Sequence, residues 1–205
     1  MTEEEKMLSG KIYDATEKNL SAKRLKAHKL SKMYNDKFED ETEKRQKIID
    51  ELVPHKGENT FFQGPVYFDY GEFSHFGKRC IANFNFTVLD CCPVTVGDDV
   101  FFGPNCSVVT AIHPMISEER KFYKKKNGEL TDDEYAAPII IEDGCWFATG
   151  TIVCGGVTVG KGSVIGAGSV VVRDIPAGVF AAGNPCKVIR KITKTDSIKL
   201  KKELW

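Results

Sequence analysis

A beat of six residues constrains this chain more than any other feature. Counting in sixes from Ile141 lands on Phe147, Val153, Val159, Ile165 and Val171, all apolar. Four positions beyond each anchor stand Cys145, Thr151, Val157, Ser163, Ser169 and Ile175, mostly small or slender. An α-helix repeats every ~3.6 residues and cannot hold a strict period of six on one face. A triangular coil of short strands can, since each hexapeptide supplies one flat face and turns its anchor inward. Hexapeptide repeats are the sequence signature of parallel β-helices.

The same beat runs earlier through Val96, Phe102 and Val108, with Val100, Cys106 and Ile112 in the slender slot. Phe76, Ala82 and Val88 keep it too, offset by two residues, and a turn over 90–95 is expected to absorb that slip. Three hexapeptides make one coil of about 18 residues, and coils stack at about 4.8 Å. The span from about 65 to 190, less one loop, holds about five or six coils, enough to bury a continuous core.

The 205 residues therefore divide into three. Residues 1–58 are charge-rich and poor in β-branched side chains, which predicts helices: a short opening one, one over about 20–34, and one over about 40–53 with Ile48, Ile49, Leu52 and Val53 on one side. Residues 59–190 form the all-β β-helix. Residues 191–205 are a basic tail ending in Leu204 and Trp205, read as an amphipathic cap on the open coil end. Lys plus Arg and Asp plus Glu stand at 29 each, so no charge excess argues for nucleic acid or an anionic membrane surface. No apolar run approaches ~18 residues, and the opening MTEEEKMLSG is acidic. The seven scattered cysteines fit a reducing cytoplasm better than a disulfide framework.

One segment loses the beat. Between His113 and Pro138 lie 24 residues without hexapeptide register, among them Lys124, Lys125, Lys126 and the pair Asn127-Gly128. A long excursion inside a regular scaffold is usually functional or disordered. His113 closes a hexapeptide beside Pro114 and leads into the excursion, a poor place for a core residue, which makes it the candidate catalytic group.

Several stretches resemble a known family. Ala82-Asn83-Phe84-Asn85-Phe86, the run from Asp90 to Gly97, Thr110-Ala111-Ile112-His113-Pro114, the run from Gly166 to Val171, Asp174-Ile175-Pro176 and the run from Ala182 to Arg190 are similar to the maltose and galactoside O-acetyltransferases. Tyr13-Asp14, Leu20 and Arg24-Leu25 extend the similarity to the N-terminus. The resemblance implies a left-handed parallel β-helix, an exception to the usual right-handed crossover, and a homotrimer with active sites between subunits. It implies acetyl transfer from acetyl-CoA to a sugar hydroxyl. Such a hydroxyl needs a base as it attacks, and histidine titrates near the working pH, so His113 takes that role. The tetrahedral oxyanion needs preorganised donors, and Asn83 is the family's candidate. No covalent intermediate is required, so no cysteine need be a nucleophile.

By the same resemblance the acceptor sugar is held by Asp14, Asp69 and Asn83, with Arg24 a weaker candidate. From spacing alone Asp14 and Arg24 read as a helix cap and a solvated face. The galactoside branch carries an aspartate where this chain has Cys91 and an aromatic where it has Ile81, which places the chain nearer the maltose branch. The pantetheine arm would lie along Thr149 and Ala167, with Val172 and Arg173 further on. Lys187 and Arg190 would meet the phosphates, lysine keeping the charge but giving up bidentate geometry. Trp146 suits either the pantetheine or packing between subunits.

Three rivals remain. A trimeric zinc carbonic anhydrase would need three histidines, and only His75 and His113 fall in the coils, so no metal is expected. A non-catalytic scaffold on the same coils is possible, since fold does not imply function. The acceptor could also be an antibiotic, serine or an amino sugar, although the Tyr13-Asp14 and Arg24-Leu25 motif favours a simple sugar.

Overall fold

The computed structural model describes residues 1–204, leaving the tail's Trp205 outside the described residues, and in it the beat of six becomes a three-faced coil. The first sheet stacks His55–Lys56, Ser74–Phe76, Val94–Val96, Ile139–Ile141 and Thr158–Val159. The second stacks Phe61–Phe62, Ile81–Ala82, Phe101–Phe102, Trp146–Phe147, Val164–Ile165 and Val179–Ala182, closed by the antiparallel strand Lys187–Lys191. The third stacks Val66–Phe68, Phe86–Leu89, Ser107–Val109, Ile152–Cys154 and Val170–Val171. Within the coils every strand pairing is parallel, which is the parallel β-helix expected from the repeat. The anchors all point inward: Phe147, Val159, Ile165 and Val171 are fully buried, and Phe102 stacks on Phe147 at 4.9 Å along the coil axis.

Three helices precede the coils, α1 (Glu3–Leu8), α2 (Lys18–Asn35) and α3 (Thr42–Leu52), and the last two close the first coil. Ile48, Ile49, Leu52 and Val53 are buried against the coil, as their spacing predicts. A terminal coil leaves sheet-edge N–H and C=O groups without partners. Here the helices supply them. Asn35 bonds both the N–H and the C=O of Val66, at 2.7 and 2.9 Å, in place of a further strand. Buried Arg45 donates to the carbonyls of Phe62 and Gln63 at 3.0 and 2.6 Å. No helix among the described residues is long and apolar enough to cross a membrane.

Coil length varies, and the variation falls at one corner. In the later coils the Cα partners Trp146 and Val164, or Ile152 and Val170, are 18 residues apart, whereas earlier pairs such as His55 and His75, or Val88 and Val108, are 20 apart. The excess sits between the third and first sheets, where Phe68 to Phe76 and Val88 to Val96 each take eight steps. The slip expected at one turn is thus two stacked overhangs, over 69–73 and 90–93. Asp90 ties them together: its buried carboxylate accepts from the Tyr70 N–H and the Ser74 hydroxyl, both at 2.9 Å.

The excursion leaves from this corner one coil later. Ile112, expected in an interior slot, is only half-buried, because the chain quits the coil at the buried Thr110. Ala111–Ile112 instead pairs antiparallel with Tyr135–Ala136 to make a neck, and the Ala137 N–H returns to the Thr110 carbonyl at 3.0 Å. Beyond the neck a hairpin of Tyr123–Lys124 and Leu130–Thr131 turns at Asn127-Gly128, with Gly128 at φ +86°. It folds back onto the N-terminal segment. Lys125 Nζ reaches Asp14 Oδ2 at 2.7 Å, the Thr131 hydroxyl donates to Asp14 Oδ1 at 2.7 Å, and the Tyr13 hydroxyl donates to Glu134. Met7, Tyr13, Leu20, Tyr70, Phe73, Cys91, Cys92 and Ala136 form a second small core beneath it.

Two outcomes follow from this corner. Burial pushes the Asp90 carboxyl up to about 6 against the opposing bonds from Tyr70 and Ser74. The folded state therefore holds this proton more tightly than the unfolded chain, where the value is about 3.9, so the stability Asp90 contributes is lost as pH rises through about 4 to 6. Asp90→Asn removes that slope. Urea midpoints at about pH 4 and pH 7 should show the variant gaining on wild type by up to roughly 3 kcal/mol across the window. Lys125→Ala removes the ion pair to Asp14, and limited proteolysis should cut the hairpin several-fold faster while the coils stay intact.

Candidate active site at two corners of the coil

His113 emerges from the neck at the corner between the third and first sheets. Its side chain is 50% exposed, with Nδ1 at 3.7 Å from the Asp132 carboxylate. Among the described residues no hydrogen bond occupies its Nε2, so that nitrogen can take a proton from an incoming hydroxyl. Asp14, Arg24 and Asp69 gather at the same corner, bridged by the small core. Arg24 donates to the Tyr70 hydroxyl at 3.1 Å and to the Ala15 carbonyl at 3.2 Å, so it fastens the N-terminal segment to the coil. Asp69 faces His28 at 3.4 Å and accepts from the Cys91 thiol at 3.7 Å.

Charge at this corner is set by burial and by the excursion. Burial raises the Asp14 pKa, but the bonds from Lys125, Thr16 and Thr131 outweigh it and hold the carboxyl well below the usual range. Asp14 is thus an anion whose two oxygens already have partners. Burial pushes the Cys91 thiol far up, which keeps it protonated and unfit as a nucleophile. Lys125, Thr131, Asp132 and Glu134 stand at this corner against Asp14, His113 and Tyr13, and the sequence reading gave them no role. Their signal was Asn127-Gly128 between Tyr123 and Leu130, a hairpin mark that places both strands of the hairpin together.

Asn83 stands elsewhere. It opens the corner between the second and third sheets, where the register Ala82–Phe102 and Phe102–Phe147 puts it in line with Gly103 and Ala148. That corner needs a left-handed residue in each coil, which Asn85 at φ +58° and Asn105 at φ +59° provide, joined by a side-chain bond of 3.0 Å. The Asn83 side-chain oxygen accepts from the Phe84 N–H at 2.8 Å, which leaves its NH₂ as a donor. Strand Phe86–Leu89 lies between this corner and the His113 corner, a sheet width of about 13 Å. Within one chain Asn83 and His113 are therefore at different corners.

The cofactor candidates divide in the same way. Thr149 and Ala167 are exposed on Asn83's corner, one coil apart in one column, and Thr149 Oγ1 donates to the Pro104 carbonyl at 2.9 Å. Val172 and Arg173 are exposed on the His113 corner, directly after Val170–Val171. Trp146 lies on the outside of the second sheet, where it shares a cleft of about 420 Å³ with Val164, Phe180, Arg190 and Asp196. Arg190 is held there by Asp196 at 2.6 Å and lies 5.9 Å from the Phe180 ring, while Lys187 is exposed earlier on the same strand. His75 stacks on His55 at 4.6 Å between neighbouring strands of the first sheet.

Comparison with known proteins agrees with this architecture. The family profile described as the maltose acetyltransferase hexapeptide capping motif matches residues 6–57, and that of the six-repeat bacterial transferase hexapeptide matches 138–173. Galactoside O-acetyltransferase of Escherichia coli K12 is 41% identical over 192 residues, which cover 94% of this chain and 90% of that protein. The crystal structure of a maltose O-acetyltransferase from Clostridium difficile 630 superposes with a TM-score of 0.86 at 40% identity, covering 95% of this chain and 99% of the other. A galactoside acetyltransferase in complex with coenzyme A superposes with a TM-score of 0.87 at 40% identity, covering 96% and 94%. Identity at this level along nearly the whole chain, with the capping helices included, makes the chain a member of the galactoside and maltose O-acetyltransferase family of hexapeptide-repeat acetyltransferases.

Proposed function

We propose that this acetyltransferase moves the acetyl group of acetyl-CoA to a hydroxyl of a small glucose- or maltose-like sugar, with His113 as general base. The observation that carries the reading is the exposed imidazole of His113 at a polar corner, Nδ1 toward a carboxylate and Nε2 unoccupied. His113 takes the hydroxyl proton as the acceptor oxygen forms its bond to the thioester carbonyl. The carbonyl electrons pass to oxygen, where the Asn83 NH₂ donates to the oxyanion. Collapse breaks the carbon–sulfur bond, and the proton on His113 goes to the departing thiolate.

Asn83 and His113 meet in this scheme only if a second copy of the chain brings its Asn83 corner to the His113 corner. The outside of the second sheet supports such a homotrimer. Phe61, Ile81, Phe101 and Trp146 form a ladder there, 47%, 39%, 46% and 51% exposed, in consecutive coils. A contiguous apolar stripe of this kind marks an interaction surface. The same approach of chains brings Thr149 and Ala167 of one copy toward Val172 and Arg173 of another, as a groove for the pantetheine requires. Trp146 and Lys187 then flank that groove, and Arg190 meets phosphate once it exchanges Asp196 for the ligand.

Cys91 favours glucose or maltose over a galactoside. It sits against Asp69 with a neutral thiol where an aspartate would add a second carboxylate. Asp69, Arg24 and Asp14 then frame the acceptor, and Asp14 receives a sugar hydroxyl when Lys125 gives way.

Free-thiol release from acetyl-CoA, followed with maltose, glucose, a β-galactoside, glucosamine, chloramphenicol and serine, tests the reading. Release should be fastest with maltose or glucose, and His113→Ala should lower kcat by about 10²–10⁴-fold with no loss of coil structure. Near wild-type turnover in that variant would sink the base assignment, and release only with a non-sugar would sink the acceptor class.

A further inference from the structure

Between α2 and the third sheet lies a cleft of about 450 Å³ that shares only Asp69 with the acceptor corner described above. His28, Ser31 and Lys32 line it from the helix, and Tyr67, Asp69 and Leu89 from the coil. Its polar side chains already face one another: Lys32 holds Asp36 at 2.8 Å, and His28 faces Asp69 at 3.4 Å. The Asn35 amide is spent on Val66. The cleft presents a ligand with one half-exposed aromatic ring, Tyr67, and apolar surface, and a hydroxyl without a partner lies buried in its wall.

That hydroxyl belongs to Ser31. The residue is 3% exposed, and its Oγ has no hydrogen-bond partner among the described residues. Buried hydroxyls are nearly always satisfied, and an orphan one destabilises the fold it sits in. A cleft with an aromatic wall, polar side chains that already face one another and one buried, unpartnered hydroxyl suits a neutral polyhydroxylated ring, not an ion.

Its position links it to the acceptor corner. Asp69 borders the cleft and also meets Cys91, whose neighbour Tyr13 carries Glu134 of the excursion. The register Phe68–Val88 and Leu89–Val109 sets Asp69 two coils before Val109, which leads to His113, so about 10 Å separates their levels. We propose that this cleft is a second acceptor subsite, holding a neutral sugar ring linked to the ring that is acetylated. This rests on the sugar reading above and adds to it a preference for length: the enzyme distinguishes an oligosaccharide from a monosaccharide through Tyr67 and Ser31.

The test compares glucose with maltotriose on the full-length protein, as acceptors in the thiol-release assay and as ligands in calorimetric titration. Tyr67→Ala and Ser31→Ala should each raise KM and Kd for maltotriose by roughly fivefold or more, leaving kcat/KM for glucose and the KM for acetyl-CoA unchanged. Ser31→Ala should also raise the thermal midpoint, since it deletes an unpaired buried hydroxyl; a purely structural serine would give the stability gain without the loss of affinity. Equal losses for both sugars, or none for maltotriose, overturn the subsite. If no sugar is acetylated, the acceptor reading fails by itself. Titration then decides the subsite alone: maltotriose binding weakened in Tyr67→Ala supports it, and no binding to wild type rejects it.

Discussion

The backbone ladder between coils is the constraint on which the rest of this molecule depends. Each strand bonds to its equivalent one coil away, so the rise is fixed near ~4.8 Å and every outward side chain stands above its counterpart. Glycines at the tight corner allow that approach: a Cβ on Gly77 would lie 2.5 Å from the Gly97 carbonyl carbon. The two-residue overhang over 69–73 is matched in the next coil by the one over 90–93, and Asp90 bonds the two. The corner that tolerates overhangs is also the corner that releases the excursion. Regularity holds the scaffold, and Asp14, Arg24, Asp69 and His113 gather where regularity fails.

The same ladder explains why His113 and Asn83 do not meet within one chain. His113 and Asn83 are fixed at corners on either side of the third sheet, and neither can slide without breaking its strands. Asn83 shares its corner with Thr149 and Ala167, while Asp14, Arg24 and Asp69 share the other with His113. Rigid placement of this sort is what preorganised donors require, and in the proposed homotrimer closure falls to the surface between copies. The Phe61, Ile81, Phe101 and Trp146 ladder has the length and the apolar character for that task.

The period alone located the fold. Ile141, Phe147 and Val153 are buried because every sixth residue must face the axis, and nothing distant can change that. The helices over 1–58 were legible for a similar local reason, down to Ile48, Ile49 and Leu52. His113 stood out because it sits where the period ends. The missed features are those set by partners far along the chain. The first strand, His55–Lys56, has no repeat behind it and is defined only by its pairing with His75 and Phe76. The overhang at 69–73 lies upstream of the earliest anchor in the series. Asp14 read as a solvent-facing cap from its neighbours, yet its partners Lys125 and Thr131 come from 111 and 117 residues away. Spacing carries no record of such contacts.

The central claim is that each site joins the His113 corner of one chain to the Asn83 corner of another. Co-expression of His113→Ala with Asn83→Ala tests it most directly, since mixed assemblies contain interfaces where intact corners face each other. Each variant alone should lose about 10²-fold or more of the acetyl transfer. The co-expressed mixture should recover a substantial fraction of wild-type thiol release. A mixture no more active than its two parents, with mixed assemblies present, would contradict it and return both residues to separate roles within one chain.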